Sequence, residues 1–183
     1  RSIRLQGFDY SQSGAYFVTI CVQNRENLFG DIIDGNMRLN EAGQMIGRWF
    51  FELEKKFTDI QCGDFVCMPN HINFIVVNVG ADLRVCPDHI NALTGEHDEK
   101  KDEHVGSPLP RILQWFKTMT TNVYIDGVKH HHWQPFYKRL WQRNYYEHIV
   151  RNNADLARIQ QYIQNNPLLW QQDKLNPDKP IQK

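Results

Sequence analysis

The sequence predicts an α+β fold, an antiparallel β-sheet with helices packed on it. Three observations carry this. Short runs of β-branched and aromatic residues alternate with longer stretches of helical periodicity. Two strand-like runs, residues 64–68 and 71–79, are separated by Pro69-Asn70 alone, which suits a hairpin. With 183 residues, 41% hydrophobic and 23% charged, the chain is long enough for one domain with a full core.

The elements follow in order. Residues 15–23 (AYFVTICVQ) read as the first strand. Asn40 can cap a helix running to about Phe57, with Met45, Ile46, Trp49, Phe50 and Leu53 at helical spacing. The hairpin strands come next. Residues 80–105 lose periodicity and turn acidic (GEHDEKKDEH), which reads as a surface insertion spanning about 80–106 with His89, His97 and His104 solvated. Ser107 and Pro108 open a second helix as cap and first-turn proline, with Ile112, Trp115, Phe116, Met119 and Val123 as its apolar face and Gly127 as its stop. His130, His131 and His132 then read as loop. Residues 140–150 (LWQRNYYEHIV) read as a strand. Asn152 and Asn153 can cap a last helix to about Asn165, burying Leu156, Ile159 and Ile163, and Pro167 ends it. Residues after about 168 read as a tail. The order β-α-β-β-α-β-α gives a sandwich of the ferredoxin or RNA-recognition type, with residues 1–183 as a single domain.

Composition excludes several classes. No apolar run approaches the ~18 residues of a membrane span, and no signal peptide opens the chain. The first residue is Arg1 rather than Met, so a short N-terminal piece is expected ahead of it. Cys21, Cys62, Cys67 and Cys86 contain no C-x-x-C pair, which argues against zinc and for small core residues in a reducing cytoplasm. Formal net charge is zero but unevenly spread: residues 111–183 carry 11 Lys and Arg against 5 Asp and Glu, residues 80–110 carry 3 against 7. The basic part interleaves aromatics with cations and amides, at Trp133, Phe136, Tyr137, Lys138, Arg139, Trp141, Gln142 and Arg143, and Lys117 adds a further cation upstream. Phosphate contact with base stacking wants that mixture. A solvated aromatic strand-and-loop region has the same composition.

Two places could hold chemistry. In a strand from His71, side chains alternate, so His71, Asn73, Ile75 and Val77 share one face and Ile72, Phe74 and Val76 the other. Two polar, metal-capable groups at the mouth of a buried strand suggest a bound partner. In the last helix, Tyr162 and Asn166 stand four apart, on one side of one turn. A phenol with a free pKa of about 10 is a poor nucleophile unless a metal polarises the phosphate it attacks. Asn166 offers a hard oxygen suited to Mg²⁺ or Mn²⁺. On pattern alone Tyr162 reads first as a half-buried core tyrosine, and His148 as a hydrogen-bonded histidine flanking the core.

Together these segments resemble a known family. P-N-H-I-N-F-I-V resembles the histidine–hydrophobic–histidine strand of HUH single-strand endonucleases, and the chain is most similar to Y1 transposases of the IS200/IS605 type, in the branch associated with repetitive extragenic palindromes (REP). The similarity covers R-S-I-R-L-x-x-F-D-Y-S-Q-x-G-A-Y-F-V-T-I-C, V-G-S-P-L-P-R-I-L-Q-W-F-K-T-M-T-T-N, L-W-Q-R-N-Y-Y-E-H-I-V-R-N and Y-I-x-x-N-P, in the family's order. The resemblance implies the HUH endonuclease fold and Tyr162 as nucleophile. His71, Asn73 and Asn166 would be ligands to Mg²⁺ or Mn²⁺, and Lys117, Lys138, Arg139, Trp141, Gln142 and Arg143 would face DNA. The implied reaction is nicking and joining of single-stranded hairpin DNA through a 5′-phosphotyrosine, by a monomer or homodimer at the nucleoid. Tyr145 and Tyr146 are rival nucleophiles by residue type but match nothing catalytic. The family's second histidine is Asn73 here, so weaker metal affinity is expected. Such a chain is either an impaired enzyme, in which Asn73→His would raise nicking, or a non-catalytic binder of structured single-stranded DNA.

Overall fold

The computed structural model describes residues 12–79 and 107–177. Its strands are β1 (Gly14–Cys21), β2 (Gly30–Ile33), β3 (Asn36–Leu39), β4 (Ile60–Met68), β5 (His71–Asn78) and β6 (Tyr146–Ile149). Its helices are α1 (Glu41–Lys56), α2 (Leu109–His130) and α3 (Asn153–Asn165). The predicted insertion at 80–106, with Cys86, His89, His97 and His104, lies outside the described residues, as do residues 1–11.

Among the described residues, β4, β5, β1 and β6 form an antiparallel sheet in that order, so the α+β class holds. The alternation of β5 divides the core in two. Ile72, Phe74 and Val76 pack with Val18, Ile20, Phe50 and Phe116 beneath α1 and α2. Ile75 and Val77 pack with Ala15, Phe17, Leu156, Ile159 and Ile163 beneath α3. Phe74 is fully buried between Phe50 and Phe116, a position where truncation to Ala costs about 3–5 kcal/mol. His71 and Asn73 therefore stand on the α3 face.

The caps of α1 and α3 match expectation. Asn40 accepts a hydrogen bond from the Gly43 N–H and Asn152 accepts one from the Asp155 N–H, both at 2.9 Å. Elsewhere the structure departs from the sequence reading. Pro108, not Ser107, is the N-cap of α2, because the Ser107 N–H and hydroxyl are both given to the Asp59 carboxylate. Gly127 does not stop α2. The helix runs on to His130, and the glycine makes room for Trp133, whose ring would stand 2.2 Å from an added Cβ. The β2–β3 hairpin was not anticipated, although Asp34-Gly35 carries its signal. Both residues have positive φ (51° and 73°), as a type I′ turn requires. Residues 140–150 are strand only over Tyr146–Ile149, and Trp141 contributes a single bridge to Val22. Residues 168–177, expected as tail, turn back through a 3₁₀ segment (Trp170–Gln172) that buries Trp170 and Asn176.

Candidate active site

The β1–β5 register pairs Thr19 with Asn73 and Cys21 with His71, so all four occupy one patch of the α3 face. Asn73 is fully buried and fully bonded: its Oδ1 accepts the Thr19 hydroxyl at 2.6 Å, and its Nδ2 donates to Asn166 Oδ1 at 3.0 Å. Asn166 Nδ2 donates in turn to Asp173 Oδ2 at 3.3 Å. The direction of this chain is set at its far end. An ionised carboxylate only accepts, so both amides must turn their oxygens toward Thr19.

His71 is also fully buried, and its tautomer is fixed by its neighbour. Asn70 Nδ2 donates to the carbonyls of Arg25 (3.1 Å) and Leu175 (2.8 Å), so Asn70 Oδ1 is an acceptor facing His71 Nδ1 at 2.9 Å. Nδ1 carries the proton. Nε2 is left with a lone pair and, among the described residues, no hydrogen-bond partner, 3.9 Å from Asp173 Oδ2. Burial pushes the ring down to about 4, against the opposing pull of the Asp173 carboxylate and the Asn166 amide, so it is neutral at neutral pH. Trp170 stacks on the ring, 6.0 Å between centroids.

Tyr162 lies one turn before Asn166, 41% exposed, with its ring edge-on to Phe17 at 5.9 Å. Burial and then the Asp173 carboxylate push its phenol up, while hydrogen bonds from the Asn166 and Asn73 amides pull it down. An open cleft of about 800 Å³ is lined by Tyr162, Asn166, Asp173, Thr19, Cys21 and Tyr146. Along α2 runs a second groove of about 570 Å³, lined by Lys117, Lys138, Arg139 and Arg143, and Gln142 and Tyr145 line both.

Tyr162, His71, Asn73 and Asn166 thus converge, but Asn73 turns its oxygen to Thr19 rather than outward. Three groups expected at DNA have their polar atoms engaged within the protein. Trp141 is 4% exposed and donates to Thr120 Oγ1 at 2.9 Å, so its ring is core and offers no stacking platform. Lys117 Nζ donates to the carbonyls of Gln142 (2.9 Å) and Arg143 (3.2 Å), and burial lowers its pKa to about 8. It pins the loop instead of standing free in the groove. Gln142 is likewise tied by its side chain to the Val22 carbonyl. His148 bonds Asp155 at 2.7 Å in the first turn of α3, as a core-flanking histidine does. Asp173 and Thr19 escaped the sequence reading. Among the described residues no three His, Cys, Asp or Glu side chains form a metal-holding group; amides supply the rest of this patch.

No family model matches the chain. An uncharacterized protein of Haemophilus influenzae is 35% identical to it over 182 residues, 97% of this chain and 93% of its own length. The chain belongs to the same family as that protein. Among solved structures, a REP-associated tyrosine transposase bound to a REP hairpin is similar with a TM-score of 0.55 and 16% identity, over 92% of this chain and 73% of that one. At that identity the likeness is one of fold. No helix among the described residues is long and apolar enough to cross a membrane.

Proposed function

We propose that the protein is a metal-dependent single-stranded DNA endonuclease and strand-transferase of the Y1 transposase kind, acting on hairpin DNA through a 5′-phosphotyrosine. The observation that carries this reading is the meeting of the Tyr162 phenol, the Asn166 amide and the His71 lone pair beside one cleft. That cleft shares Gln142 and Tyr145 with a groove bearing Lys138, Arg139 and Arg143. The solved protein of like fold holds a REP hairpin, which supports hairpin DNA as the partner.

In the reaction, Tyr162 Oη attacks phosphorus. The Oη–P bond forms as the P–O3′ bond breaks, the electron pair leaves on the 3′ oxygen, and the phenol proton is replaced by one taken up there. Drawing a proton from a phenol of ordinary value 10.0 at pH 7 costs about 4 kcal/mol, and the burial of Tyr162 adds to that. Hydrogen bonds from Asn166 and Asn73 to the phenolate pull the other way without outweighing burial and the Asp173 carboxylate, so the phenol stays raised. The remaining work falls to charge on the phosphate. The residues fit Mg²⁺ or Mn²⁺ in that His71 Nε2 is a neutral, buried nitrogen without a partner among the described residues, and Asn166 Oδ1, which accepts from Asn73 Nδ2, keeps a second lone pair. Held by His71 and Asn166, such a cation would polarise the phosphate and stabilise the charge that develops.

A second reading, a non-catalytic binder of structured single-stranded DNA, is favoured by the raised phenol and by the Asn73 oxygen being bonded to the Thr19 hydroxyl. Labelled hairpin DNA with Mn²⁺, run under denaturing conditions, separates the two. The enzyme gives a covalent adduct that Tyr162→Phe abolishes; binding without any adduct leaves the binder. A requirement for the 2′-OH of the matching RNA hairpin would sink both.

A further inference from the structure

We propose that Asp173 is a cation ligand which, with His71 Nε2, forms the metal-holding pair that residue 73 does not complete. The purpose of such a site rests on the DNA-processing reading above; its geometry does not. Two acceptor atoms face each other across 3.9 Å, the His71 Nε2 lone pair and Asp173 Oδ2. The contact with Asn70 fixes the tautomer, so His71 Nε2 has no proton to give to Asp173. Facing lone pairs in a buried place are unfavourable unless a cation lies between them. With metal–ligand bonds of about 2.1–2.2 Å, a 3.9 Å separation corresponds to an angle of roughly 130°, so a modest closure suits an ordinary coordination angle.

The surroundings point the same way. The Asp173 side chain is 9% exposed, and among the described residues the basic group within 4 Å of its carboxylate is the neutral His71 ring, so no cation of the protein is paired with it there. Oδ1 is held by the Leu175 N–H at 2.8 Å and, among the described residues, Oδ2 receives the long Asn166 bond, which leaves Oδ2 with lone-pair capacity. A carboxylate also supplies the negative charge that Asn73, whose oxygen is bonded to Thr19, lacks. Trp170 fixes the plane of His71 and reports on it.

The test is a Mn²⁺ titration of the full chain, reading free Mn²⁺ by electron paramagnetic resonance and quenching of tryptophan fluorescence. Wild type is expected to bind one Mn²⁺, and Asp173→Asn to weaken binding at least about tenfold. Its thermal unfolding in chelator checks that the fold survives. Asp173→Cys is the second variant: a thiolate at the metal shifts preference from Mn²⁺ to Cd²⁺, relative to a wild type that has Cys21 in the same cleft. A merely structural carboxylate gives no such reversal. Equal Mn²⁺ affinity in wild type and Asp173→Asn, or no Mn²⁺ binding by wild type, overturns the assignment. The adduct assay keeps the two proposals apart. A metal-dependent adduct with unchanged affinity in Asp173→Asn refutes the ligand alone, whereas Mn²⁺ bound through Asp173 without any adduct refutes the reaction alone.

Discussion

Thr19→Val tests the directed chain of side chains on which the site is built. Valine keeps the branched shape that a strand residue needs and removes one hydroxyl. That hydroxyl is the donor at 2.6 Å to Asn73 Oδ1, an atom of a fully buried residue. Asn73 cannot turn over to compensate, because its Nδ2 would then leave Asn166 Oδ1, and Asn166 is held in turn by the Asp173 carboxylate. The oxygen is left without a donor, which costs about 1–3 kcal/mol. For a chain of this size each kcal/mol lowers the Tm by about 2–4 °C, so a fall of about 2–12 °C is expected by circular dichroism. Thr118→Val is the matched control: it deletes a hydroxyl bond of similar length, 2.9 Å to the Gln114 carbonyl, on an exposed helix face. It should shift stability by less than about 0.5 kcal/mol. If the two variants melt together, within a degree of wild type, the chain is not directed as described.

Three further outcomes follow from particular contacts. Tyr146 is exposed and lines the same cleft as Tyr162, yet it is bonded into β6 across from Thr19, so Tyr146→Phe should retain the DNA adduct that Tyr162→Phe loses, as read on a denaturing gel. In salt titrations of hairpin binding, Lys138→Ala and Arg143→Ala should each flatten the slope of log affinity against log salt by about 1, while Lys117→Met, whose ammonium is spent on two carbonyls, should leave the slope nearly unchanged. For Asp155, burial raises the carboxyl, but hydrogen bonds from His148, Arg158 and the Arg151 N–H outweigh it and bring it down to about 2. A depressed carboxylate contributes stability that is complete above its unfolded value of about 3.9 and lost as pH falls toward 2. Urea midpoints between pH 5 and pH 2 should therefore fall less steeply in Asp155→Asn than in wild type.

What was legible in the sequence was local or periodic. The two faces of β5 follow from strict alternation, and the caps and buried stripes of α1 and α3 from residue type and helical spacing. The meeting of Tyr162 with Asn166 needs only one helical turn. Trp141 misled because an aromatic among cations has the same composition whether it stacks on a base or in the core, and its burial is decided by Thr120 and Val22, far off in sequence. Asp173 left no trace at all. It reaches His71 because the chain turns back after Pro167 and Trp170 lies down on the imidazole, a packing event between segments about a hundred residues apart.

The same geometry changes what restoring histidine at position 73 should do. On residue type alone, Asn73→His adds an imidazole nitrogen and raises metal affinity. In the folded site, however, position 73 has a donor on one side, the Thr19 hydroxyl, and an acceptor on the other, Asn166 Oδ1. A neutral imidazole satisfies both, accepting with one nitrogen and donating with the other, and then has no lone pair left for a cation. Asn73→His alone should accordingly leave Mn²⁺ affinity within about threefold of wild type, since no ligand is gained. Asn73→His combined with Thr19→Val removes the competing donor and frees that nitrogen, and affinity should rise at least about tenfold in the same titration. A single variant that already binds as tightly as the double one would show that Thr19 does not hold position 73, and that the hydroxyl and the metal never compete for it.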